Sequence, residues 1–203
     1  MTFVAVAFTS GCAVGSMTVD AGARSGVSAT GNGTTYTATF TPTGDGATTI
    51  DVEAGTFTDA SSNDNTAATQ FNWTFDSTGP SMTITAAEVA DGSTSNDTTL
   101  ALTFEAGEVT TNFAVGDITV DGGTLSVLTA NGNGTTYTAT FTPTGDGATT
   151  IDVEAGTFTD ASSNTNTAAT QFNWTFDSTG PSTVIQTDAA ADESASNHTT
   201  FAL

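Results

Sequence analysis

Residues 171–176 read Gln-Phe-Asn-Trp-Thr-Phe, and residues 135–142 read Thr-Thr-Tyr-Thr-Ala-Thr-Phe-Thr. In both stretches every second residue is apolar and the residues between are polar, the period of a strand with one face buried and one wet. Leu100, Leu102 and Phe104 repeat the pattern, as do Ile118 with Val120 and Ile151 with Val153. No stretch shows a sustained helical period, so the alternation predicts an all-β protein.

Composition alone points the other way. The chain holds 203 residues, of which 48 are threonine, while Phe, Leu, Ile and Val together number only 36. A chain this polar is expected to be disordered. Threonine resolves the conflict: its branched Cβ favours strands and its hydroxyl tolerates water, so it covers outer faces that other proteins give to Lys and Glu. The charge excludes partners instead. With 22 acids against the single base Arg24 the net charge is −21, which disfavours nucleic acid and anionic membranes because both call for clustered Lys and Arg. One cysteine, Cys12, precludes an intrachain disulfide, and one histidine, His198, precludes a histidine-based zinc site or a convincing triad. No window reaches the ~18 apolar residues of a membrane-spanning helix.

An internal repeat sets the organisation. Shifted by 101 residues, 31–81 matches 132–182 at every position except Asp64, which faces Thr165. The flanks are looser, and there Cys12 stands where Phe113 does, which favours reading the apolar opening as repeat sequence over a lipoprotein signal. Turn signals at Asp121-Gly122-Gly123, Asn131-Gly132-Asn133-Gly134 and Pro143-Thr144-Gly145-Asp146-Gly147 separate about seven strands, at 82–87, 98–104, 113–120, 124–129, 135–142, 149–159 and 168–176. Seven short antiparallel strands in ~100 residues suit a two-sheet immunoglobulin-like sandwich. The expected architecture is therefore a tandem of such sandwiches without a disulfide.

Three stretches, DSTGPSMTITA, TNFAVGDITVDGGTL and TYTATFTPTGDGATTIDVEAGTFTDASSN, with the closing FNWTFDSTGP, carry a family resemblance over nearly the whole chain. It resembles the bacterial Ig-like repeats of very large cell-surface adhesins. The resemblance implies extracellular modules acting as rigid spacers between a cell anchor and a distal binding domain, often stiffened by calcium. It is more specific for fold than for function, since such modules also occur in phage fibres and surface-layer proteins.

The linker Asp76-Ser77-Thr78-Gly79-Pro80 recurs as Asp177-Ser178-Thr179-Gly180-Pro181. Only 77–177 is then a whole repeat; 1–76 lacks a first strand, and 178–203 supplies the first strands of another. Two explanations stand: a piece of a longer array, or a subunit whose C-terminal strands complete the N-terminal domain of the next chain in a head-to-tail homopolymer.

Carboxylates are the chemistry available. Strand order places Glu105, Glu108 and Asp160, with Asn164, at the end of the whole repeat that faces the previous one, with Asp76 in the linker and Asp45 in a turn of the preceding repeat. Hard oxygens in this number suit calcium; the alternative is a set of solvated turn acids. Asp152 and Glu154 could imitate a glycosidase pair but share the exposed part of one strand, so no enzyme is expected. The Gly-rich turns lack the Lys of a phosphate loop. Asn-x-Thr triplets at Asn32, Asn72, Asn96, Asn133, Asn173 and Asn197 are potential glycosylation acceptors. The functional expectation is an extracellular spacer or fibre subunit contacting neighbouring repeats. The alternative is a direct binder of glycan, ice or another surface through Thr-rich faces such as Thr136, Thr138 and Thr140.

Overall fold

The structure is a computed structural model that describes residues 2–5, 9–31 and 33–184. The chain forms two compact units, the first made of Met1–Ser81, Glu108–Asn112 and Gly156–Thr167, the second of Met82–Gly107, Phe113–Ala155 and Ala168–Leu203. Both are all-β.

The second unit shows what the alternation encodes. One sheet runs β13-β15-β11-β9, built from β9 (Met82–Ala86), β11 (Leu100–Ala106), β13 (Gly123–Leu125) and β15 (Thr136–Pro143), with β14 (Thr129–Ala130) also on β15. The other runs β10-β17-β16-β12, from β10 (Ser93–Ser95), β12 (Ile118–Asp121), β16 (Gly147–Val153) and β17 (Phe172–Phe176). The register sets Leu100 opposite Phe141, Leu102 opposite Ala139 and Phe104 opposite Tyr137. A shift of one residue would turn this whole set to solvent, so the buried face fixes the pairing. From the other sheet Ile151, Val153, Phe172 and Trp174 are buried, and Trp174 meets Phe141 edge-on at 6.3 Å between centroids. Each large apolar side chain withdrawn from water contributes ~1.5–3 kcal/mol. Phe113 completes the core between Phe104, at 6.0 Å, and Tyr137, at 5.0 Å.

Polar groups are placed with equal economy. Thr149 is buried and donates from Oγ1 to the Trp174 carbonyl at 2.9 Å, which meets the hydrogen-bond demand of a hydroxyl inside a core. Gly123 lies flat on Phe141, where a Cβ would come within 2.2 Å of the ring Cζ.

Several expected strands are shortened. The stretch 113–120 opens with a 3₁₀ turn, Val115–Asp117, before β12 begins, and the Asp117 carboxylate accepts the Ala114 N–H at 2.8 Å. The strand expected over 149–159 stops at Val153, because Gly156 takes φ +77° in a turn, and β17 begins only at Phe172. The strands are also not all antiparallel: β10 pairs in parallel with β17, Ser93 opposite Trp174 and Ser95 opposite Phe176. Three serine and threonine residues carry no periodic signal. Backbone bonds hold them, Gly92 N–H to the Asn173 carbonyl at 2.7 Å and Asp177 N–H to the Ser95 carbonyl at 3.0 Å.

The first unit uses the same elements with fewer partners. β1 (Thr2–Val4), β4 (Gly22–Ala29) and β5 (Thr35–Pro42) form a sheet in the order β1-β5-β4, and β3 (Thr18–Asp20), β6 (Gly46–Asp51) and β8 (Phe71–Phe75) another in the order β3-β6-β8. β2 (Thr9–Ser10) pairs with β7 (Thr58–Asp59). Among the described residues β1 pairs only with β5 and β8 only with β6, so both are edge strands. The consequence is exposure: Phe71 is 51% and Trp73 41% exposed, against 3% and 2% for their copies Phe172 and Trp174. A second opening, a cavity of about 550 Å³, is lined by Cys12, Met17, Tyr36, Val52 and Phe57 among others. Cys12 occupies the register position of Phe113, whose ring fills the second unit.

Of the segment 178–203, residues beyond Val184 lie outside the described residues, as do Asn32, Asn197 and His198.

Candidate functional site

Three carboxylates named from the sequence come together. Ligand oxygens of Asp76, Glu108 and Asp160 all lie within 4.8 Å of one another. All three belong to the first unit, although by register Glu108 and Asp160 are residues of the second repeat. Oxygens sharing one calcium ion at ~2.3–2.6 Å are separated by up to ~5 Å, so this spacing fits one hard divalent cation, and the donor set is oxygen throughout.

Asp160 is the buried member and is held by its own loop. Its Oδ1 accepts the Asn164 N–H at 2.8 Å and its Oδ2 accepts Asn164 Nδ2 at 2.9 Å. Burial pushes its pKa up, but Asn164 and the backbone N–H groups of Ser162 and Ser163 together outweigh that and leave it below the ordinary aspartate value. The same loop grips Asp76: Ser162 Oγ donates to Asp76 Oδ2 at 2.9 Å, and Asn164 Nδ2 donates to the Asp76 carbonyl at 3.2 Å. Glu108 behaves oppositely. Desolvation raises its pKa, and Asp76, Asp160 and Asp45 push it further, in that order. It is the member that a cation would relieve most.

Beneath the trio, Asn166 is buried. Its Oδ1 accepts the N–H of Thr157 at 2.8 Å and of Phe158 at 3.0 Å, and its Nδ2 donates to the Thr167 carbonyl at 3.0 Å. These bonds shape the loop that carries Asp160. Thr110 bridges Asp160 on the other side, and Asn112 Oδ1 accepts Thr159 N–H at 2.8 Å.

The remaining two residues read from the sequence do different things. Asp45 is no member of the trio; it clamps the linker. Its Oδ1 accepts Ser77 N–H at 2.9 Å and Ser77 Oγ at 2.7 Å, and its Oδ2 accepts the Thr78 hydroxyl. The hydroxyls of Thr78 and Ser77 hold its pKa down. Glu105 lies in the second unit, exposed on β11 opposite Thr136 and Thr83, and is likewise outside the trio.

The linker clamp occurs twice. Asp146 Oδ1 accepts Ser178 N–H at 2.8 Å and Ser178 Oγ at 2.7 Å, and its Oδ2 accepts Thr179 Oγ1 at 2.5 Å; Thr179, then Ser178, lowers its pKa. Within the linkers, Asp76 and Asp177 accept Thr78 N–H at 3.2 Å and Thr179 N–H at 3.1 Å. Gly79 adds a steric lock: a Cβ there would stand 2.0 Å from the Thr165 carbonyl oxygen. Pro80 is buried and its carbonyl accepts Thr167 N–H at 3.0 Å. The clamp was not foreseen, because its acid lies 32 residues before its serine. The only trace in the sequence was that both members recur in the copy.

No curated protein matches the chain. Among solved structures, FdeC, described as an Escherichia coli adhesin, covers 91% of this chain at 17% identity and TM-score 0.44, with 56% of its own length matched. InvD of Yersinia pseudotuberculosis covers 93% at 20% identity and TM-score 0.42, with 54% of its length matched. The chain thus spans little more than half of either. A family profile described as bacterial Ig-like domain matches residues 2–75 and 76–176, and the chain belongs to that family.

Proposed function

We propose that the chain is a non-catalytic spacer of a bacterial surface protein, whose linkers are clamped so that successive Ig-like domains hold a set direction. The observation that carries this reading is the twofold clamp, Asp45 on Ser77 and Thr78 and Asp146 on Ser178 and Thr179. A linker bonded through side chain and backbone to the β5–β6 or β15–β16 turn of its own domain loses the freedom that Gly and Ser would otherwise give it. Bending forces on such a stalk are then resisted by fixed turns and buried Pro80. Spin labels on the two units test this by pulsed distance measurement. Asp45→Ala should broaden the distance distribution, and an unchanged width sinks the reading.

Calcium is the proposed stiffener at Asp76, Glu108 and Asp160. The support is the donor chemistry and the raised pKa of Glu108. A bound ion stabilises the folded form by mass action. The melting temperature should rise in millimolar calcium over chelator at constant ionic strength, and a flat response removes the site.

A second reading, surface binding through threonine, has one observation in its favour. Thr85, Thr103, Thr138 and Thr129 stand opposite one another in turn across four strands. The rows on either side contain Glu105 and Ala101, which interrupt the array, and the spacer reading explains more of the chain.

A further inference from the structure

The hairpin turn between β14 and β15 carries two Asn-Gly pairs, Asn131-Gly132 and Asn133-Gly134. Such a pair can react with itself: the glycine's backbone nitrogen attacks the asparagine Cγ, ammonia leaves, and water opens the resulting succinimide to aspartate or isoaspartate. Glycine in second place leaves that nitrogen unshielded, since it has no Cβ. Closing the five-membered ring swings the carboxamide off any group it holds, so each hydrogen bond to it lowers the share of molecules able to react. The two asparagines differ in this respect. Asn133 is held by three bonds: its Oδ1 accepts Thr135 N–H and Thr136 N–H, both at 2.9 Å, and its Nδ2 donates to Thr136 Oγ1 at 3.1 Å. Asn131 is held by one, its Oδ1 accepting Asn133 N–H at 3.0 Å. Its Nδ2 and the Gly132 N–H have no partner among the described residues. Asn131 and Gly132 are both exposed, and nothing lies within 4 Å of where a Cβ on Gly132 would stand.

The first unit shows that the turn does not need this side chain. There Thr30-Gly31 stands at the positions of Asn131-Gly132. Thr30 N–H donates to the Thr35 carbonyl at 3.0 Å as Asn131 N–H does to the Thr136 carbonyl at 3.1 Å, and Gly31 and Gly132 take φ +91° and +88°. The same turn is thus built in one copy with a reactive residue and in the other without. We infer that Asn131 is a site of spontaneous modification, deamidating through a succinimide with Gly132 while Asn133 in the same turn is spared. Water is the co-reactant and ammonia the leaving group, and the product carries one more negative charge. In its isoaspartate form the asparagine's Cβ enters the main chain and lengthens the turn by one carbon. The pairs that adjoin the turn, Ala130 with Tyr137 and Thr129 with Thr138, are then the first to loosen, so the modification marks the age of the chain on β14.

Timed incubation of the full chain at mildly alkaline pH, folded and in denaturant, tests the inference by peptide mapping with aspartate and isoaspartate quantified at each asparagine. In the folded chain Asn131 should convert at least ~10-fold faster than Asn133, the ratio set by the two additional bonds that hold Asn133. In denaturant the two rates should come together. Asn131→Thr, which installs the residue of the first unit, should fold and remove the fast event, and Thr136→Val, which deletes the hydroxyl that holds Asn133 Nδ2, should speed conversion at Asn133 in the folded chain. A folded chain in which Asn131 stays intact while the denatured chain converts overturns the inference, and so does equal conversion at Asn131 and Asn133 in the folded chain. A preference for Asn131 that persists undiminished in denaturant also overturns it, since local sequence and not the turn then sets the ratio. None of these results bears on linker stiffness, so the spacer reading stands or falls separately.

Discussion

Trp73 and Trp174 lie in stretches, 65–81 and 166–182, that are identical in sequence, yet one is 41% exposed and the other 2%. Their strands are paired on one side by the same partner, β6 or β16, in the same register. What differs is the other side, where β10 covers β17 and no described element of the first unit covers β8. Burial of a side chain is thus a property of the assembled sheets, and a sequence window identical in two places can end in two environments. The core of each unit teaches the same lesson. Tyr36 and Tyr137 are both buried, but Tyr137 packs on Phe113 while Tyr36 lines a cavity beside Cys12.

The largest expected effect follows from that contrast. Trp174→Ala should cost ~3–5 kcal/mol, the range for deleting a buried aromatic ring, whereas Trp73→Ala, which removes a half-exposed ring that still touches Phe40 and Phe75, should cost about 1–2 kcal/mol. Denaturant unfolding followed through both units measures the two, and equal losses would contradict the open first unit. Gly79→Ala and Gly180→Ala give a second pair. The added methyl meets the Thr165 carbonyl at 2.0 Å in the first case and nothing within 4 Å in the second, so the first should cost ~1–3 kcal/mol and the second should fall within ~0.5 kcal/mol of zero. Thermal melts of the two variants against the parent would show it.

Filling the cavity tests the comparison in the opposite direction. Cys12→Phe, which installs the residue of the second unit, should stabilise the first by ~0.5–2 kcal/mol, and a destabilised variant would show that the surrounding residues have collapsed onto a smaller core.

The smallest effects are electrostatic, and their signs oppose. Asp45 and Asp146 have folded pKa values below the ordinary aspartate value of 3.8. Their contribution is present above that value and is lost as pH falls through the lowered one, so both clamps should release in strong acid. Glu108 is raised above 4.5, so its charged form opposes folding and protonation relieves the strain as pH falls. Glu108→Gln should therefore raise the melting temperature at neutral pH in chelator, with the gain shrinking toward pH 4.5, and should abolish any response to calcium. If the variant melts like the parent in chelator, the trio is solvated and unstrained.

Much of this was legible in advance. The period-2 alternation in 135–142 and 171–176 identified strands and their inward faces correctly, because one pleated face must be apolar wherever a sheet buries one side. Of the carboxylates proposed together, Asp76, Glu108 and Asp160 converge, since turns at one end of a strand set are neighbours whatever their distance in sequence. Asp45 and Glu105 do not join them; Asp45 is drawn off by the hydroxyls of Ser77 and Thr78, and Glu105 is carried on β11. Strand ends were read too long at 149–159 and 168–176, where threonine and alanine continue a β-like composition after pairing has ceased. The parallel strand β10 was invisible, because Ser93, Thr94 and Ser95 are held by backbone bonds and show no apolar period.

Local periodicity, turn residues and the internal repeat were enough to establish an all-β chain of Ig-like domains, because each of those signals is written in a few adjacent residues. Tertiary structure alone settled which copy of each repeated residue is buried, which acids meet and which serine each aspartate holds. Those outcomes depend on strands and loops tens of residues apart, and no window of sequence contains both partners.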